Sequence, residues 1–189
     1  MQGLLADAPV LYVGSFSKTM FPALRIGFVV LPRSVMRQAQ VALHELLRGG
    51  YRLEQLALAN FIASGEFGRH LGRMRRLYRE RQQVLRDALT NHFADAQILG
   101  GNSGMHLTLR LPPQVDDRTL VERAHPHGIG ARALSTFTSG STARENGLVI
   151  GYGNTRAEEI PGAVRVLARL VQEAAHVRSG ARRRTLRAS

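Results

Sequence analysis

Two short apolar runs, Val10 to Val13 and Ile26 to Leu31, bracket a turn that carries Ser15, Ser17, Lys18 and Arg25. Runs of this length, closed by Gly14 and by Pro32, are too short for core helices and read as buried strands. Any fold open to this chain must therefore project the turn from a sheet. The turn also holds the only lysine in 189 residues, whereas lysine and arginine together number 26. As exposed positive charges the two residues serve alike, so the exception points to chemistry. A primary amine can lose its proton and attack a carbonyl; a guanidinium stays charged and cannot.

The neighbours of Lys18 narrow that chemistry. Ser15 and Ser17 supply hydroxyls, and Arg25 supplies a guanidinium of the kind that grips phosphate with a bidentate fork. An amine among phosphate-binding groups suits a phosphate monoester that also carries an aldehyde, and pyridoxal 5'-phosphate has both. Taken singly, the serines are also ordinary turn residues and Arg25 an ordinary surface charge. Two other lysine motifs fail. Ser15-x-x-Lys18 matches the serine nucleophile pattern of β-lactamases, but the Ser-Asp-Asn and Lys-Thr-Gly elements are missing from the sequence. A phosphate loop of the Gly-Lys-Ser/Thr type needs glycine before the lysine, and Ser17 stands there.

Composition bounds the alternatives. Hydrophobic residues make up 44% of the chain, enough for a core, and there is no cysteine to form disulfides, a thiol nucleophile or a thiolate metal site. No apolar run is long enough to span a bilayer, and no signal-peptide plan is visible, so a cytoplasmic protein is expected. The net charge of +12 invites a nucleic-acid reading. From Gly68 to His92, however, Leu71, Met74, Leu77, Tyr78, Leu85 and Leu89 recur at helical spacing while Arg69, Arg73, Arg76 and Arg79 fall largely on the other side. That is the pattern of a solvated helix face. The stretch 177–189, rich in arginine and without apolar periodicity, reads as a disordered basic tail.

The rest of the chain alternates helix and strand signals and gives a mixed α/β protein. Ser34 can cap a helix to about Leu47 that Gly49-Gly50 stops, and a second helix runs from about Leu53 to Ala63. Strands are expected at Gln97–Leu99, Met105–Leu111, Ala131–Leu134 and Leu148–Tyr152, with a helix capped by Asp116 or Asp117 between them. A closing helix from about Arg156 to His176 carries a capping box at Thr155 and Glu158, unless Pro161 delays its start. His125-Pro126-His127 reads as a helix-end turn, His106 as a strand histidine, and Gly100 to Gly104 as a loop. No metal site is expected.

Ser15-Phe16-Ser17-Lys18-Thr19 followed by Pro22-Ala23-Leu24-Arg25-Ile26-Gly27 resembles the cofactor-lysine segment of fold-type I pyridoxal-phosphate enzymes of the aminotransferase class I/II family. More narrowly, it resembles the aminotransferase-like domain of MocR regulators, a subgroup of the GntR-type transcription factors. Phe67-x-x-His70-Leu71, Arg73 to Arg81, Gly104-Met105-His106-Leu107 and Gly147 to Tyr152 continue the likeness in order. It implies the C-terminal part of a pyridoxal-phosphate transferase fold. Residues 1–70 would end the large-domain sheet, 71–176 would form the small α/β domain and 177–189 the tail. Lys18 would carry the cofactor as an aldimine, with Ser15, Ser17 and Arg25 near its phosphate.

The first function implied is the effector-sensing half of a MocR-type regulator. An amino acid or amine would be its ligand, a homodimer its full-length form, and DNA would be bound only through a separate N-terminal domain. The alternative is part of a genuine aminotransferase, and a third reading is a basic nucleic-acid-binding module. Two departures bear on the choice. Many relatives hold a substrate carboxylate with an arginine where this chain has Val149, and Arg144 and Arg156 are out of register. The acidic partner of the pyridine nitrogen and the ring-stacking aromatic precede the lysine by many tens of residues in this fold, which leads us to expect a truncated chain that binds cofactor weakly and is inactive alone.

Overall fold

The computed structural model describes residues 10–48, 50–137 and 145–185, with side chains to residue 176. The chain divides into two compact units, residues 1–73 and 74–189.

In the first unit, β1 (Tyr12–Ser15) and β2 (Gly27–Val30) pair antiparallel in the register Tyr12 to Val30 and Ser15 to Gly27. The two apolar runs do form strands, but they are not buried. Val13 is 75% exposed, and Tyr12, Phe28, Val29 and Val30 are exposed as well, because each strand has one neighbour and no helix covers the pair among the described residues. Gly27 is required by this pairing: a Cβ there would stand 2.7 Å from the Gly14 carbonyl oxygen. Gly27→Ala should therefore part the strands and cost about 1–3 kcal/mol, read as faster amide exchange at Phe16, whose N–H donates to the Ile26 carbonyl at 3.1 Å.

Helices α1 (Met36–Leu47) and α2 (Arg52–Ala63) follow. The cap expected at Ser34 is not made. Arg33–Val35 forms a short tight turn and α1 begins at Met36 without a side-chain cap. Arg48, in the left-handed region at φ 42°, ends the helix where glycine was expected to; Gly49 lies outside the described residues. Leu58 is the one buried side chain among the described residues of this unit, so the apolar faces of both helices stay largely in solvent.

The division between the units falls within α3 (Glu66–His92), whose C-terminal half supplies Leu85, Ala88 and Leu89 to the core of the second unit. That unit is a four-stranded antiparallel sheet, ordered β3 (Ile98–Leu99), β4 (His106–Arg110), β6 (Gly147–Gly151), β5 (Arg132–Ala133). Leu107, Leu109 and Leu148 alternate onto one face and meet α3, α4 (Asp117–Ala124) and α5 (Ile160–Thr185) through Leu89, Leu120, Val164, Leu167 and Leu170. Period-two strands against period-3.6 helices explain this core directly. Tyr152 donates to the Gly104 carbonyl at 2.9 Å, and burial pushes its phenol pKa up, keeping it a donor.

Two local expectations need correction. The capping box lies one residue later than Thr155 and Glu158: the Arg156 N–H donates to the Glu159 carboxylate at 3.4 Å, and Pro161 falls in the first turn of α5, where its missing N–H is harmless. The basic stretch expected to be disordered from residue 177 continues α5 as helical backbone to Thr185, since alanine and arginine are strong helix formers even without an apolar stripe. Residues 186–189 lie outside the described residues. His125–His127 is a short turn closed by Gly128, as its proline and glycine imply. Among the described residues no helix is long and apolar enough to cross a membrane, and no three His, Asp or Glu side chains cluster as metal ligands.

Candidate functional site

The site is built at the end of the β1–β2 hairpin. β1 stops at Ser15, and the chain turns at once: the Met20 and Thr19 amides donate to the Phe16 carbonyl at 2.8 and 3.2 Å. Lys18 rides on that turn. Its amine is exposed and makes no hydrogen bond or ion pair among the described residues.

The two serines form one unit. Ser15 Oγ accepts from the Ser17 amide at 3.1 Å and donates to Ser17 Oγ at 3.0 Å, a serine turn that leaves the Ser17 hydroxyl proton without an acceptor among the described residues. Two hydroxyls so arranged offer a donor to an anion. Arg25, in the left-handed region at φ 52°, immediately precedes Ile26, whose carbonyl binds the Phe16 amide, so it returns to the end of the hairpin where Ser15 and the turn lie. Its guanidinium has no acidic partner among the described residues. The four residues singled out in the sequence thus share one end of one hairpin.

Two residues escaped sequence reasoning. His70 of α3 hydrogen-bonds the Thr19 carbonyl through Nε2 at 2.9 Å, a contact across 51 positions for which the only sequence signal was its place in Phe67-x-x-His70. The other is Arg132. It is the β5 partner of Val149 on β6, so it and Val149 share a face of the second unit's sheet, and its guanidinium carbon lies 4.6 Å from the Phe137 ring centre. Neither arginine considered from the sequence takes that register: Arg156 lies beside Glu158 at 3.9 Å, and Arg144 is outside the described residues.

The lysine hairpin, with the α/β unit that follows it, defines a fold class. The chain superposes on solved pyridoxal-phosphate aminotransferases of fold-type I. One is LysN, the α-aminoadipate aminotransferase of Thermus thermophilus, complexed with N-(5'-phosphopyridoxyl)-L-leucine. The TM-score is 0.76 at 27% identity over 91% of this chain and 44% of that one. The chain belongs to the family "Aminotransferase class I and II", whose model matches residues 2–167. Among curated relatives it is 35% identical over 161 residues to the "Uncharacterized HTH-type transcriptional regulator YhdI" of Bacillus subtilis (85% of this chain, 34% of that protein). It is 38% identical over 153 residues to the "Probable rhizopine catabolism regulatory protein MocR" of Rhizobium meliloti (80% and 31%). The chain spans about a third of the length of these regulators.

Proposed function

We propose that this chain is the cofactor-lysine part of the pyridoxal-phosphate-binding, effector-sensing region of a MocR-type transcription regulator. The observation that carries the reading is the hairpin end: a lone lysine, two linked serine hydroxyls and a guanidinium without an acidic partner among the described residues. That donor set fits the cofactor. Lys18 would hold it covalently, and Ser15, Ser17 and Arg25 would hold its phosphate through charge-assisted hydrogen bonds. When bound, the cofactor supplies an aldehyde for the amine and an electron-withdrawing ring for the chemistry of amino compounds. The regulator relatives support sensing over turnover, as does Val149 in place of an arginine. In the whole protein an amino acid or amine would be the ligand, DNA would be bound by a separate domain, and a cytoplasmic homodimer would be the working form.

The test is titration with pyridoxal phosphate and, in parallel, with pyridoxal. We expect Arg25→Gln to weaken pyridoxal phosphate about tenfold or more and Ser17→Ala about fivefold, with pyridoxal binding unchanged in both. Equal losses for the two compounds, or none, would contradict the assignment of these groups to phosphate. A second reading, part of an enzyme that transfers amino groups, is favoured by the superposition on LysN. Conversion of the bound cofactor to its amine form by an amino acid, with release of a keto acid, would promote it.

A further inference from the structure

The turn that carries Lys18 is gripped on both sides by residues other than the four assigned above to the cofactor. Before Lys18, the Phe16 ring packs between Phe28 of β2, at 5.7 Å between ring centres, and Phe67 of α3, at 5.8 Å. After it, the Thr19 carbonyl accepts from His70 at 2.9 Å. A carbonyl oxygen can only accept, so His70 carries its proton on Nε2. The imidazole is itself seated by Phe61 of α2, 6.4 Å away, and Phe61 in turn meets Phe67 at 6.3 Å. Among the described residues, His70 makes the one side-chain hydrogen bond that reaches the segment Phe16 to Met20 from outside the β1–β2 hairpin. It does so in a unit whose apolar side chains are otherwise mostly exposed.

We infer that His70 is a positioning residue for Lys18: it fixes the backbone on the C-terminal side of the lysine so that the amine is presented to the carbonyl of a compound whose phosphate is held by Ser15, Ser17 and Arg25. This rests on the cofactor reading above and adds a residue to it. The physical argument is preorganisation. Lysine has four rotatable side-chain bonds, and the entropy lost when its amine is captured is smaller if the backbone beneath it is already fixed. The Phe16 ring and the bonds of the Thr19 and Met20 amides to the Phe16 carbonyl hold the turn from within; the His70 bond ties its C-terminal side to α3. His70 contacts neither the amine nor the phosphate groups, so it acts through the turn.

Three variants of the full chain separate this role from mere packing. His70→Phe keeps a ring against Phe61 and removes the donor; His70→Ala removes both; His70→Gln restores an N–H donor near the Nε2 position. Two measurements apply. The first is amide exchange at Thr19 and Met20 without cofactor. The second is the pyridoxal-phosphate concentration needed for half-maximal borohydride trapping on Lys18. His70→Phe and His70→Ala should speed exchange about fivefold and raise the half-maximal concentration by a similar factor, as for one ordinary hydrogen bond, while His70→Gln returns both toward wild type. Wild-type values for His70→Phe overturn the proposal, and so does a failure of His70→Gln to rescue what His70→Phe loses. If wild-type Lys18 is not trapped at all, the cofactor reading fails, and the exchange rates still decide whether His70 fixes the turn.

Discussion

Lys18→Arg is expected to abolish covalent capture of pyridoxal phosphate while leaving the charge of the turn unchanged. The chain has no second lysine to take over, and the other primary amine available is the α-amino group of the N-terminus. Lys18→Ala should lose the adduct too, so the two variants should match in having no absorption band from lysine-bound cofactor. They should differ in residual non-covalent affinity, since arginine retains an attraction for the phosphate that alanine lacks. A nucleophile cannot be replaced by an equal charge, so the expected effect on the adduct is complete loss rather than a graded decrease. A surviving band of wild-type intensity in either variant would remove Lys18 from the site.

The second large effect is expected at Asp117, and its neighbour makes the contrast. Asp117 is 2% exposed and accepts from the Ser135 amide and hydroxyl, each at 2.8 Å, and from the Gly147 amide at 3.3 Å. It ties α4 to the turn after β5 and to the start of β6. Asp117→Ala removes the carboxylate that the Ser135 and Gly147 amides and the Ser135 hydroxyl donate to inside the unit and should cost about 3 kcal/mol of stability, read in urea unfolding followed by circular dichroism. Asp116 caps α4 by accepting from the Thr119 amide at 2.9 Å, and Asp116→Ala should cost about 1 kcal/mol. Equal losses would mean that the buried carboxylate is no more than a second cap.

Features set by local pattern were legible in the sequence. The hairpin was one: Ser15, Ser17, Lys18 and Arg25 were expected together between two strands, and they lie at one end of the β1–β2 hairpin, while their pairing with a phosphate and an aldehyde is the proposal made above. The amphipathic spacing of Leu85 and Leu89 located the core side of α3, and alternation around Leu107 and Leu109 located that of β4. Residues whose role is tertiary were hidden. Asp117 looks like its neighbour in sequence, and only the approach of Ser135 and Gly147 separates a buried acceptor from a cap. His70 finds Thr19 across 51 positions, which no periodicity encodes. Val10 to Val13 has the composition of a buried strand, and Tyr12 and Val13 do enter β1, but burial needs neighbours on both edges and faces, which the described residues of the first unit do not provide. The basic end of α5 shows the opposite failure: apolar spacing reports a core-facing side, and a helical backbone can continue in a stretch that has no such spacing.

The most direct measurement is a map of where the cofactor attaches. The chain is incubated with pyridoxal phosphate, reduced with borohydride and digested with trypsin, which cannot cut after a modified lysine. We predict a single labelled peptide ending at Arg25 and uncut between Lys18 and Thr19, with labelling suppressed when excess inorganic phosphate is present during the incubation. A label confined to the N-terminal amine, or a Lys18 label that phosphate leaves untouched, would contradict the account.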